Sequence, residues 1–327
     1  MPKILILRFS SIGDIVLTTP VIRCIKQQVP GAEVHYVTKK AFQSILAHNP
    51  YVDKVHVLGE KLSDLVQELK TENFDYVVDL HNNLRTRVIK ARLGKPSRSF
   101  NKLNYEKWLM VNFKLNRLPD VHIVQRYLDA AAALGVKDDG QGLDYFIPAQ
   151  DEVEINTLPQ GFRNGYVAFA IGAQHYTKRL PTKRIIELCE RLQQPVILLG
   201  GKEDAATGEE IAAHFSDQSP NNKQQTTIYN ACGKYNLSGS ASLVRQATQV
   251  VSHDTGLMHI AAAFQKEIIS VWGNTIPEFG MYPFRTKYKV LEVHGLSCRP
   301  CSKIGYSKCP KGHFKCMRDI PFEDLEV

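Results

Sequence analysis

Short apolar blocks alternate along the chain with stretches in which apolar residues recur at helical spacing. The first block, Lys3–Arg8 (KILILR), is an unbroken apolar run and predicts a strand buried on both faces. Further strands are expected at Val34–Val37, Val55–Leu58 and Tyr76–Leu80. Helical spacing fills the gaps at Ile15–Gln28, Phe42–His48 and Leu62–Leu69, and again at His122–Leu134, closed by Gly135. Pro20 falls early in the first of these, where proline is tolerated only in the first turn or at a kink. The pattern restarts with strands at Tyr166–Ile171, Val196–Leu199, Thr227–Ala231, Gln249–Ser252 and Ile268–Trp272. Pro181 opens a helix whose inner face is Ile185, Leu188, Cys189 and Leu192. Strand–helix alternation of this kind builds parallel sheets covered on both faces. Between the halves, Val136 to Pro159 is richer in Asp, Gly, Gln and Pro, which predicts a domain at 1–150 and a second at 151–327.

Composition supports this α/β picture. A chain of 327 residues, 43% hydrophobic and 23% charged, has the balance of a soluble two-domain protein. No apolar run is long enough to span a bilayer, and Ile4–Leu7 is too short for a signal segment, so a cytoplasmic protein is expected. The net charge of +8 favours an anionic partner. From Arg85 to Arg117 there are ten Lys/Arg and one acid, Glu106, interleaved with Phe100, Tyr105, Trp108 and Phe113. Nucleic acid, anionic lipid, an acidic glycan or a plain solvated face would each account for that run.

Several chemistries have no motif here. The phosphate loop G-x-x-x-x-G-K-[ST], the dinucleotide fingerprint G-x-G-x-x-G, the zinc helix H-E-x-x-H and the nucleophile elbow G-x-S-x-G are all missing from the sequence. What remains sits at the carboxyl ends of strands, where open α/β sheets bind ligands. The stretch from Gln249 to Ala263 reads as a strand, a tight turn and a helix. Asp254 and Thr255 are good N-cap types, and Gly256 lets the backbone approach a ligand. Such a helix mouth is an anion site, with His259 one turn inside it. Lys178 or Arg179, after the strand at Tyr166–Ile171, would neutralise a diphosphate, and Glu203 would hold a ribose or base edge. Asp14, after the first strand, is either a helix-dipole acid or a general base facing a cleft.

These residues carry a resemblance. Arg8-Phe9-Ser10-Ser11-Ile12-Gly13-Asp14, with Thr18-Thr19-Pro20 behind it, resembles the opening motif of glycosyltransferase family 9, which includes the ADP-heptose:lipopolysaccharide heptosyltransferases. Thr177–Pro181 and Asp254–Ala262 resemble that family's two C-terminal motifs, in the same order. The resemblance implies a GT-B fold of two Rossmann-like domains facing across a cleft, the N-terminal one for the acceptor and the C-terminal one for the ADP-sugar. It implies inverting transfer with Asp14 as base and no cofactor required for catalysis. Lys178, Asp254, Thr255, Gly256 and His259 match its donor-binding residues, with Glu203 a looser match. Ser10, Ser11 and Gly13, with Arg85 and Arg87 of the basic run, are the expected acceptor-side residues. The acceptor would be an anionic lipopolysaccharide inner core at the cytoplasmic face of the inner membrane, and no nucleic acid is expected.

Seven cysteines divide into two groups. Cys24, Cys189 and Cys232 lie in apolar patterns and read as reduced core residues. Cys298, Cys301, Cys309 and Cys316 cluster near the C-terminus with His294 and His313 nearby. That tail is a candidate for a structural zinc, with free thiols as the alternative and disulfides disfavoured in a reducing cytosol. The rivals to a heptose transferase are a transferase of the same fold using another nucleotide sugar or acceptor, and a basic nucleic-acid-binding protein with a zinc-bearing tail. Against the second, neither an RRM nor a helix-turn-helix signature is visible.

Overall fold

The computed structural model describes residues 1–216, 226–323 and 325. The chain divides into two compact units, Met1–Leu103 with Asp120–Phe146, and Asn104–Pro119 with Ile147–Val327. In chain order the first part carries β1 (Lys3–Leu7), α1 (Ile12–Val16), α2 (Thr19–Gln28), β2 (Glu33–Lys39), β3 (Lys54–Leu58), α3 (Leu62–Thr71), β4 (Tyr76–Asp79), α4 (Leu84–Leu93) and β5 (Ser97–Ser99). After α5 (Asn104–Phe113), which belongs to the second unit, the chain returns to the first with α6 (Ile123–Ala131).

The described residues of the first unit form a parallel sheet of order β3-β2-β1-β4-β5. β1 is central, which is why its run is apolar on both faces: Ile4, Leu5, Ile6 and Leu7 are all fully buried. Leu5, Leu7, Val37, Leu65, Leu69, Phe74 and Val77 share one core cluster. The expected first helix is split in two, and Pro20 stands in the first turn of α2, where its missing N–H costs nothing. The helix expected at Phe42–His48 is instead a single 3₁₀ stretch, Lys40–Ile45, with Ile45 its one buried residue, so little apolar packing supports a full helix. A buried arginine on α2, Arg23, explains why residues after Val136 stay with this unit. It pairs with Asp139 at 2.7 Å, with Asp144, and with the Gly142 carbonyl at 2.9 Å. The segment richest in linker residues is thereby pinned onto α2, and the division falls after Phe146.

The second unit carries β6 (Val167–Ala170), α7 (Thr182–Leu192), β7 (Val196–Leu199), α8 (Ala205–Ser216), β8 (Ile228–Asn230), α9 (Leu237–Gln246), β9 (Gln249–His253), α10 (Gly256–Ala263), β10 (Glu267–Trp272), β11 (Tyr288–Glu292) and α11 (Lys315–Arg318). Its described strands are all parallel, in the order β11-β10-β9-β6-β7-β8. The switch in strand order between β6 and β9 places their carboxyl ends side by side, which is the ligand position of such sheets. The two strands missed in the sequence, β5 and β11, are both edge strands. β5 reads Ser-Arg-Ser and β11 is largely exposed, so neither shows the apolar run of a central strand.

Candidate active site

In the first unit the site grows from the end of β1. Arg8 is buried, which obliges its guanidinium to find partners on every side. It donates to the Ser10 carbonyl (2.7 Å), the Leu80 carbonyl (2.6 Å) and the Tyr127 hydroxyl (2.9 Å), and pairs with Asp14 Oδ1 at 2.6 Å. The other carboxylate oxygen of Asp14 accepts from the Ser11 amide (3.1 Å) and hydroxyl (2.9 Å). Asp14 therefore caps its own short helix and is also held in place by a fixed cation. Burial pushes the Asp14 carboxyl up, but Arg8 and the two Ser11 donors outweigh it and hold the group below the ordinary carboxylate range. It is ionised at neutral pH.

His81 joins this cluster from the end of β4, its ring 5.1 Å from that of Phe9. Burial, together with the Arg8 charge, depresses it to about 4, so the ring is neutral at pH 7. Its Nδ1 has no hydrogen-bond partner among the described residues. The turn that presents it is rigid: Asp79 accepts from the His81 and Asn82 amides (3.1 and 2.7 Å) and pairs with Lys90 at 2.9 Å. His81 was not among the expected site residues; its position two places beyond a central strand was the available signal. Ser10, Ser11 and Gly13 lie in the Asp14 turn, whereas Arg85 and Arg87 project from the exposed side of α4.

In the second unit the turns after β6, β9 and β10 converge. Lys178 Nζ pairs with Asp254 Oδ2 at 2.5 Å and donates to the Asp254 carbonyl at 3.1 Å. The Thr275 hydroxyl donates to the same carboxylate oxygen at 2.9 Å. Asp254 thus spends its side chain on orienting Lys178 and does not cap α10, as its residue type had led us to expect. Thr255 is the N-cap residue and makes no side-chain cap bond, which leaves the opening turn of α10 without a side-chain cap. The result is a lysine held beside an uncapped helix mouth, an arrangement that attracts a phosphate.

Arg179 does something different from Lys178. Its guanidinium donates to the Ala173 carbonyl (2.6 Å) and pairs with Asp204 at 3.0 Å, and Asp204 in turn accepts from the Gly201 amide (2.9 Å). It ties the β6 and β7 turns together. Asp204 is packed so closely that a Cβ on Gly172 would lie 2.2 Å from its Oδ2. Glu203, one residue earlier, is exposed and remains available to a ligand. His259 departs from expectation: it is 1% exposed, inside the packing of α10. Met258, Ile260, Ala261 and Ala262 are buried around it, so the helix is enclosed on nearly all sides and its fourth residue supports the turn from within. Asn274, between the β10 strand and Thr275, is also 1% exposed, and neither atom of its amide has a partner among the described residues.

The cysteine-rich tail lies against these same turns. The Thr177 amide donates to the Tyr306 carbonyl (3.2 Å), and the Tyr306 amide donates to the Thr177 hydroxyl (2.8 Å). Arg299 donates to the Gly273 and Thr275 carbonyls at 2.7 and 2.9 Å, and the Cys301 amide to the Asn274 carbonyl at 3.2 Å. Cys298 Sγ is 3.7 Å from His313 Nε2. Burial, with the charges of the neighbouring thiols, raises Cys301 and pushes Cys316 up to about 12. The four cysteines are neighbours, but among the described residues the donor atoms drawn within 4.8 Å of one another are those of His35, His56 and Glu72.

Two parallel α/β units, a fixed carboxylate at the end of β1 and a lysine at a helix mouth in the second sheet define a GT-B glycosyltransferase. The chain belongs to glycosyltransferase family 9 (heptosyltransferase), whose family model matches residues 62–310. It is 26% identical over 298 residues to the lipooligosaccharide heptosyltransferase 2 of Haemophilus influenzae, covering 85% of each chain. Among solved structures it resembles a glycosyl transferase family 9 protein from Veillonella parvula, with a TM-score of 0.71, 22% identity, and 89% and 86% of the two chains covered. The E. coli ADP-heptose lps heptosyltransferase II gives a TM-score of 0.69 at 22% identity, with 93% and 92% covered. The protein is therefore an enzyme. No described helix is long and apolar enough to cross a membrane.

Proposed function

We propose that the protein transfers heptose, or a closely related sugar, from an ADP-sugar to the inner core of a lipopolysaccharide at the cytoplasmic face of the inner membrane. The names of its relatives supply the sugar and acceptor classes, and the E. coli ADP-heptose enzyme supplies the nucleotide. The observation that carries the donor half is Lys178, held by Asp254 and Thr275 beside the uncapped mouth of α10.

The chemistry follows from the charges. The ionised Asp14 takes the proton of an acceptor hydroxyl as that oxygen bonds to the anomeric carbon. The bond from that carbon to the diphosphate breaks in the same displacement, so the anomeric centre inverts. Negative charge then builds on the departing ADP, where Lys178 and the first amides of α10 stabilise it. Glu203 reaches the nucleoside, and Ser10, Ser11, Gly13, Arg85 and Arg87 serve the anionic acceptor. His259 and Thr255 shape the donor turn around Gly256. No step requires a metal. Cys298, Cys301, Cys309 and Cys316 suit a structural zinc by the softness of their sulfurs, and the ion would draw the four together.

Calorimetric titration with ADP, UDP and GDP tests the donor assignment. Selective ADP binding that weakens in Lys178→Ala is the expected result. Selective binding of UDP or GDP would retain the transferase and discard the ADP-sugar. Metal analysis of the same sample, expected to give one zinc per chain, tests the tail.

A further inference from the structure

α5 is an apolar helix with no buried residue. Six of its ten residues are Tyr105, Trp108, Leu109, Met110, Val111 and Phe113, yet every position is at least partly open to solvent. Tyr105 is 67% exposed, Trp108 48% and Phe113 57%, and Leu115 just beyond is 54% exposed. Their rings form a continuous surface. Tyr105 and Trp108 stack with centroids 6.4 Å apart, and Phe113 meets Trp108 edge-on at 5.1 Å. An exposed apolar patch of this kind marks a binding surface.

The helix is held by its other side. Lys107 lies over the Phe279 ring at 5.5 Å, and Lys114 donates to the Pro300 carbonyl at 2.7 Å. Lys107 stands within the helix and Lys114 just beyond its last residue, so the two contacts hold both its body and its end. At 3.6 residues per turn Tyr105 stands about 160° from Lys107, and both it and the stacked Trp108 ring are exposed. Charge decides what meets them. From Asn104 to Arg117 the cations are Lys107, Lys114 and Arg117 against Glu106 alone, and of these Lys114 and Arg117 are exposed. A second copy of this chain, itself at +8, would bring like charges together. An anionic bilayer surface complements both properties. Tyr and Trp settle at headgroup depth, and Lys and Arg near the surface are drawn to acidic lipids. Ten residues are too few to span a bilayer, so the helix would lie in the plane of the interface.

We infer that Asn104–Arg117 is a membrane-docking segment that seats its aromatic side in the surface of a bilayer rich in anionic phospholipid. The inference deepens the preceding reading and rests on it for a lipid-linked acceptor, but its test needs neither donor nor acceptor. The full chain is mixed with vesicles of phosphatidylglycerol and phosphatidylethanolamine, and separately with phosphatidylcholine alone. Binding is read by co-sedimentation and by tryptophan emission. The protein has two tryptophans, and Trp272 is 1% exposed, so a blue shift reports Trp108.

Binding to the anionic vesicles, reduced by salt and accompanied by a blue shift, is expected. Trp108→Ser with Phe113→Ser should lower partitioning by about tenfold or more while leaving ADP affinity and thermal midpoint unchanged. No binding, or binding unaltered by the double substitution, overturns the inference. A concentration-dependent dimer abolished by the same substitutions would overturn it in favour of a self-interface. A protein that binds ADP yet ignores vesicles refutes this proposal alone; one that binds vesicles but no nucleotide refutes the donor reading alone.

Discussion

At the scale of single residues, the site is governed by how buried charges are compensated. Asp14→Asn keeps the Ser11 contacts in reach but removes the proposed base, so turnover should fall by about a hundredfold or more with ADP affinity unchanged. Steady-state rates beside a nucleotide titration check this. Arg8 is the more informative position. With it gone, only the two Ser11 donors oppose burial, and the Asp14 carboxyl rises. The acid limb of the kcat/KM profile should therefore move to higher pH in Arg8→Met and return part of the way in Arg8→Lys. His253 makes an opposite kind of statement. It is fully buried, accepts from the Leu180 amide at 3.0 Å, and is driven down to about 3, chiefly by burial. Because the folded value lies below the unfolded one, protonation favours unfolding. The contribution of the neutral ring is complete above the unfolded value near ~6.5 and is lost as pH falls from there towards 3. Urea unfolding at pH 6.5 and 5 should show a loss of about 1–2 kcal/mol from this group, and His253→Gln should flatten the slope.

At the scale of elements, what was legible in the sequence was whatever combined an apolar run with a break. β1, β6, β7, β9 and β10 announce themselves because central strands are apolar on both faces, and the turns behind β1, β6 and β9 place Asp14, Lys178 and Asp254. Polar edge strands such as β5 carry no such run. Arg8 read as the residue that ends a strand, since nothing local reveals that Leu80 and Tyr127 will enclose it. His259 had the spacing of a ligand but not its exposure, because the burial of α10 is set by sheet packing. The basic run from Arg85 hid two helices: α4, where charges interrupt the apolar stripe, and α5, whose consecutive Trp108–Val111 run shows no one-sided spacing. One element-level prediction concerns the close approach of the β6 and β7 turns. In Gly172→Ala the new methyl would overlap Asp204, displacing the acid that Arg179 grips. A loss of about 1–3 kcal/mol, seen as a lower thermal midpoint, is expected.

At the scale of the whole molecule, each unit has its own sheet and core, and the chain crosses between them more than once, because Asn104–Pro119 belongs with the second unit while its flanks belong with the first. A division drawn at one point along the sequence has no way to represent that excursion. The tail is the other long-range feature. Residues 299–306 hold, through the Arg299 guanidinium and the Cys301 and Tyr306 backbone, the two turns that present Lys178 and Thr275. Equilibria joined through a shared structure are reciprocal: whatever a change in the tail does to nucleotide affinity, the nucleotide must do in equal measure to that change. Arg299→Ala should therefore weaken ADP binding without unfolding the protein, as calorimetry and a thermal scan would show. Conversely, saturating ADP should slow alkylation of Cys298 and Cys301, followed by mass spectrometry, so that these thiols would report occupancy of the proposed nucleotide site.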